Sequence, residues 1–143
     1  MKKFFLLFLP IIFFGCGNEE KVSEKISENK KNFEINGVGI EILKNGAGRS
    51  AKKNDNLVVH YDGFFEDGQK FDSSRDRRKP FKFTLGGGQV IKGWDVGVEN
   101  MKIGEIRKLK IPPEMAYGNR KVGPISENST LIFEIELLTI QEK

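Results

Sequence analysis

The chain has 143 residues, room for one domain. Its formal charge of +4 falls to +2 once Lys2 and Lys3 are set aside with the leader they open, too even a balance to argue for a nucleic-acid partner. One histidine and one cysteine, with no CxxC, HExxH or GxSxG, leave no metal centre, redox pair or serine-hydrolase constellation in view. An enzyme made from this chain must work by shape and desolvation.

Lys2-Lys3, the apolar run Phe4–Phe14 and then Gly15-Cys16-Gly17 have the layout of an export signal over residues 1–15. The apolar run is far shorter than the roughly 20 residues needed to cross a bilayer. The single cysteine falls at the cleavage point, and Phe13-Phe14-Gly15-Cys16 resembles the lipobox of bacterial lipoproteins, with Phe13 where leucine is usual. That resemblance implies that Cys16 becomes the lipidated first residue of the mature chain and anchors it to a bacterial membrane of the cell envelope. Acyl chains hold firmly because each buried methylene contributes about 0.8 kcal/mol. No other cysteine is present to form an intramolecular disulfide.

Residues 16–36 follow as lipidated cysteine and flexible tether, polar and charged, with only Val22 and Ile26 at helical spacing. A coil of this length spans roughly 25 Å root-mean-square. It is too short for a stable dimerisation helix, so a monomer is the default.

The body, residues 37–143, begins with Val38, Ile40 and Ile42 alternating with polar or small residues, a half-buried strand. Asn45-Gly46-Ala47-Gly48 ends it as a turn, and Lys52-Lys53-Asn54-Asp55 forms another. Leu57 to Phe65 is a second strand, and Asp67-Gly68 a hairpin signal. Phe71-Asp72 and Phe81–Leu85 are short strand pieces on either side of a basic loop. Gly86-Gly87-Gly88 leads into a helix over Val90–Met101, with Ile91, Trp94, Val98 and Met101 on one face and Gly104 as terminator. Ile106–Ile111 and Leu131–Ile140 are strands with Leu109, Ile111, Leu131, Phe133, Ile135 and Leu137 inward. Short strands around a single helix indicate an α+β domain, a curved antiparallel sheet of five or six strands wrapped around that helix.

The stretch from Val58 to Asp95 concentrates seven aromatic residues, Tyr61, Phe64, Phe65, Phe71, Phe81, Phe83 and Trp94, between turn residues and charges. Twisted strands of this kind bring their rings into one small core or cleft. Periodicity alone leaves ordinary core packing as the simpler account of Tyr61, Phe71, Phe81, Trp94, Tyr117 and Phe133. The triple glycine lacks the spacing of a phosphate-binding loop and reads as a tight turn. Arg75, Arg77, Arg78, Lys79 and Lys82, interleaved with Asp72 and Asp76, read as a solvated loop. His60 reads as structural, and Ser73-Ser74 has no paired base for a nucleophile.

VHYDGFFEDGQKFDSSRDRRKPFKFTLGGGQVIKGWD, then MKIGE, EMAYG and STLIFEIELL, resemble the FKBP family of peptidyl-prolyl cis-trans isomerases in content, order and spacing. The resemblance runs from about Gly37 to Ile140. It implies a hydrophobic pocket between sheet and helix, with Trp94 as floor, Phe71, Phe81 and Phe133 as walls, and Val90, Ile91 and Tyr117 at the mouth. It also implies that the Ile91 N–H and the Tyr117 hydroxyl donate to ligand carbonyls, and that Asp72, held by Tyr61 and Arg77, faces the carbonyl of the twisting bond. The implied partners are proline-containing polypeptides and macrolide inhibitors, with no metal or cofactor. Ser126-Glu127, where two prolines are common, and Gln89, where an acid is frequent, depart from the pattern at the rim and bear on substrate preference, macrolide affinity and loop rigidity.

The chemistry suits that resemblance. Rotation about a peptide bond has a barrier of about 18–20 kcal/mol because resonance is lost midway. A site need only bind the twisted amide better than the planar one. Two rivals share the fold: a peptide-binding or chaperone module without turnover, and a surface interaction lipoprotein that makes contact through the Arg75–Lys82 loop.

Overall fold

The computed structural model describes residues 31–142; the leader, Cys16 and the tether as far as residue 30 lie outside them. The sheet begins earlier than expected. Asn32–Ile35 (β1) pairs antiparallel with Val38–Lys44 (β2), Ile35 opposite Val38. The residues between them, Asn36 and Gly37, have φ of 50° and 82°. Two successive positive φ values make the tight hairpin turn whose twist matches its strands, and Asn-Gly is its sequence signature. The end of the expected tether is therefore a strand, and Phe33 on it packs against the core.

Ala47–Ser50 (β3) extends the turn predicted there into a short strand, paired with Lys102–Ile103 (β7) in a small second sheet. Among the described residues the main sheet is antiparallel and has seven strands. Its order is β1, β2, Ile106–Ile111 (β8), Leu131–Gln141 (β9), Asn56–Phe65 (β4) and Lys70–Ser73 (β5), with Phe81–Thr84 (β6) also on β4. The expected architecture holds; the strand count is higher because β1 joins at one edge and both β5 and β6 at the other.

How β4 is shared at that edge decides where the site falls. β6 pairs with its first half, Asn56 to Val59, and β5 with its second, Asp62 to Phe64. The intervening chain leaves the sheet. Pro80 has no N–H to give a ladder, and Arg78 stands at φ 53°, outside strand geometry. Phe71 and Asp72 thus stand on one side of the gap and Phe81 on the other.

Across the centre, β4 and β9 pair for ten residues, with an extra residue in β9 opposite the Val58–Val59 step. That bulge explains why Leu137 and Ile140, three apart, are both buried.

The helix, Lys92–Val98 (α1), is shorter than the sequence pattern suggested. Val90 and Ile91 precede it, Ile91 being its extended N-cap at ψ 151°. Gly104 does not end it; with φ 82° it turns the chain between β7 and β8. The end is made by Arg107 of β8, whose guanidinium donates to the carbonyls of Gly97 (2.9 Å) and Glu99 (3.0 Å). Arg107 is itself paired with buried Glu105 and lies over the Phe33 ring. Gly93 and Gly97, one turn apart, let the helix backbone rest on Ile111 and Leu109: a β-carbon at either would sit within 2.5 Å of those side chains. Trp94 and Val98 are thereby pressed into the core.

Candidate active site

Between the inner face of the sheet and the start of α1 lies a cavity of about 330 Å³. Trp94, 4% exposed, forms its floor. Three of the cavity's rings meet the indole edge-on, Tyr61 at 5.0 Å between centroids, Phe133 at 5.3 Å and Phe81 at 5.9 Å, with interplanar angles of 80–88°, and Phe83 meets it from the core at 5.6 Å. Phe71 continues the wall, edge-on to Phe133 at 5.7 Å. Such T-shaped contacts set positive ring edges against negative faces and fix each ring against its neighbours. The rings approach closely because Gly63 of β4, lying beneath Phe71 and Phe133, has no side chain to hold them off. The indole N–H is buried and has no acceptor among the described residues.

The polar side is equally fixed. The Tyr61 hydroxyl donates to one oxygen of Asp72 at 2.6 Å and accepts from the Arg77 guanidinium at 2.9 Å. The other Asp72 oxygen accepts from Arg77 and from the Ser73 N–H (2.9 Å). Burial opposes the Asp72 charge and is the largest single influence. The Tyr61 hydroxyl, Arg77 and the Ser73 N–H together outweigh it and hold the carboxyl below the usual carboxylate range. Burial first, then the adjoining carboxylate, push the Tyr61 phenol above its ordinary value. The result at neutral pH is an ionised carboxylate, a protonated phenol and a cation locked together at one lip of an apolar hollow.

Val90, Ile91 and Tyr117 complete the mouth. Ile91 precedes the first helical turn, so its N–H lies outside the helical ladder. Tyr117 follows the 3-10 turn Pro113–Met115, which the two prolines after β8 set up. Of the ten residues expected at the site, nine line the cavity. Arg77 does not; it stands behind Asp72 and aims it.

Four lining residues went unassigned in the sequence: Val122, Gly123, Pro124 and Ile125. Their signal was an apolar Val-Gly-Pro-Ile inside an otherwise charged loop. Val122 and Ile125 bond to each other across the turn, and Ile125 folds inward to 6% exposure. Around Ser126-Glu127 the loop is fastened by two hydrogen bonds: Asn128 N–H donates to Gly118 O (2.8 Å) and the Ser129 hydroxyl to Ser126 O (2.7 Å). Gln89 keeps the acceptor that an acid would offer, taking the Thr84 N–H at 2.9 Å without adding charge.

Two smaller expectations change. Ser74 does meet a base, since His60 Nδ1 lies 2.8 Å from its hydroxyl. Yet Ser74 is fully buried and accepts the Tyr61 N–H, so the pair braces β4 and has no access to a substrate. The basic loop is only partly a solvated face, because Arg75 is tied to Asp62 and Glu136, and Arg77 to Asp72.

Residues 47–138 match the family described as FKBP-type peptidyl-prolyl cis-trans isomerase. The chain is 54% identical over 110 residues to FK506-binding protein 1A of Neurospora crassa, covering 76% of this chain and 92% of that one. It is 56% identical over 104 residues to FK506-binding protein of Neisseria meningitidis serogroup A, covering 72% of this chain and 95% of that one. Among solved structures, FkpA from Escherichia coli is similar with a TM-score of 0.72 at 41% identity, over 82% of this chain and 55% of that one.

Proposed function

The chain belongs to the FKBP-type peptidyl-prolyl cis-trans isomerases, and from that premise we propose that it speeds rotation about X–Pro bonds of exported polypeptides from a lipid-anchored position in the bacterial cell envelope. The envelope part rests on the leader and on Cys16 in the sequence. The observation that carries the catalytic part is the convergence of Tyr61, Phe81 and Phe133 on Trp94 beneath a hollow large enough for a proline ring.

X–Pro bonds interconvert over tens to hundreds of seconds unaided. A proline seated on the indole leaves its preceding carbonyl at the mouth, stripped of water. As the bond twists, resonance is lost and the carbonyl oxygen sheds negative charge, so a planar amide loses more hydration on entry than a twisted one. The Ile91 N–H and the Tyr117 hydroxyl hold neighbouring carbonyls while the bond turns. Asp72 needs no reorganisation as this happens, because Tyr61, Arg77 and Ser73 already fix both its oxygens. The mechanism requires no covalent step.

The test is an isomerisation assay on a proline-containing peptide with and without a macrolide. Macrolide-sensitive acceleration is expected; peptide binding without acceleration would assign the pocket to a docking module. Cys16→Ser should release the protein from membranes, and retention of that variant would overturn the anchor.

A further inference from the structure

The segment Lys70–Lys82 carries six cations, and three have carboxylate partners: Lys70 with Asp76, Arg75 with Asp62 and Glu136, and Arg77 with Asp72. Arg78, Lys79 and Lys82 are exposed and have no carboxylate within ion-pair distance among the described residues. Lys79 and Lys82, with Arg77 and Pro80, border a second recess of about 430 Å³. Phe81 lines both this recess and the main cavity. A chain leaving the cavity past that ring therefore enters a recess bordered by two unmatched ammonium groups.

Another recess differs. It has a volume of about 590 Å³, shares Gln89, Val90, Ile91 and Tyr117 with the cavity, and is lined by two cations, Lys92 and Arg120, equalled in number by two acids, Asp95 and Glu114. On the cavity wall itself the one charged residue among those described, Asp72, is matched by Arg77. The mouth thus has one neutral flank and one cationic flank, the latter beside Pro80 and Phe81.

We infer that the enzyme selects X–Pro substrates bearing an aspartate or glutamate within a few residues of the proline, with Lys79 and Lys82 reading the carboxylate. This rests on the isomerase function proposed above and adds a substrate class to it. A carboxylate in the recess meets two cations that have no carboxylate partner of their own among the described residues.

The experiment uses the full chain and peptides identical except for Glu, Gln or Lys placed two residues before or two residues after the proline. In at least one position the Glu peptide should exceed the Lys peptide in kcat/KM by about three- to tenfold at low ionic strength, and the gap should close toward 0.5 M salt, where the screening length falls to a few ångströms. Lys79→Glu/Lys82→Glu should reverse the order while leaving the Gln peptide unchanged. Equal rates for Glu and Lys peptides in both positions, or a preference that survives the double substitution, would overturn the inference alone. No acceleration of the Gln peptide by the wild-type chain would overturn the isomerase function itself, and this inference with it.

Discussion

Replacing Gly63 with alanine should damage the site through its walls. A β-carbon there would lie 2.8 Å from Cζ of Phe71 and 2.9 Å from Cε1 of Phe133, where ordinary contact needs about 3.4–4 Å. Both rings must then move by several tenths of an ångström to an ångström. Phe133 is 5% exposed and rests edge-on against Trp94, so its shift reaches the floor. Overpacking of this kind costs about 1–3 kcal/mol. In a domain of this size each kcal/mol lowers Tm by about 4–8 °C. Turnover should suffer beyond the stability loss, by about ten- to a hundredfold, because a misplacement near 1 Å is costly where geometry does the work. Thermal melts and peptide isomerisation rates report the two effects. Trp94, the chain's one tryptophan, reports the floor by fluorescence. Gly39→Ala is the control, since a β-carbon there makes an ordinary 3.5 Å contact with Lys110. Wild-type Tm and turnover in Gly63→Ala would refute the claim that wall positions matter.

Asp72→Asn should lower turnover about tenfold, the worth of one hydrogen-bond-sized interaction of ~1.4 kcal/mol. Because the folded-state pKa of Asp72 is depressed, its stabilising contribution is complete above the ordinary carboxylate range and disappears as pH falls through the folded value. The stability gap between wild type and variant, at most about 1 kcal/mol for so exposed an ion pair, should be constant above about pH 5 and close in acid, as urea titrations at pH 7 and pH 2.5 would show. Trp94→Ala should cost about 3–5 kcal/mol and abolish turnover, checked by denaturation and the peptide assay. Arg107→Met should cost about 3–5 kcal/mol by leaving Glu105 buried without its partner and two helix-end carbonyls uncapped. Adding Glu105→Gln should restore part of that loss, which a double-mutant cycle measures.

Strands were legible wherever one face is buried, because alternation survives in Ile106–Ile111 and Leu131–Gln141 whatever they pair with. The helix was legible in kind but not in extent. Its apolar spacing runs on to Met101, which is buried by a turn beyond the helix, while the ending is made by Arg107, a residue from another strand. Asn36-Gly37 held a local signal for β1 that the charged segment before it obscured. The ten site residues were named by resemblance, since spacing alone cannot separate a pocket wall from core. What the resemblance could not supply was the long-range geometry: Gly63 under two rings, Ile125 folding in beneath the mouth, and Gly93 and Gly97 seating the helix on β8.

The most direct test of the account is exchange NMR on an X–Pro peptide at equilibrium with a catalytic amount of the protein. Faster cis–trans exchange at unchanged isomer populations is the predicted result, because a site that favours the half-turned bond lowers the barrier and leaves both end states alone. Exchange at the unaided rate, even when the peptide is seen to bind, would contradict it.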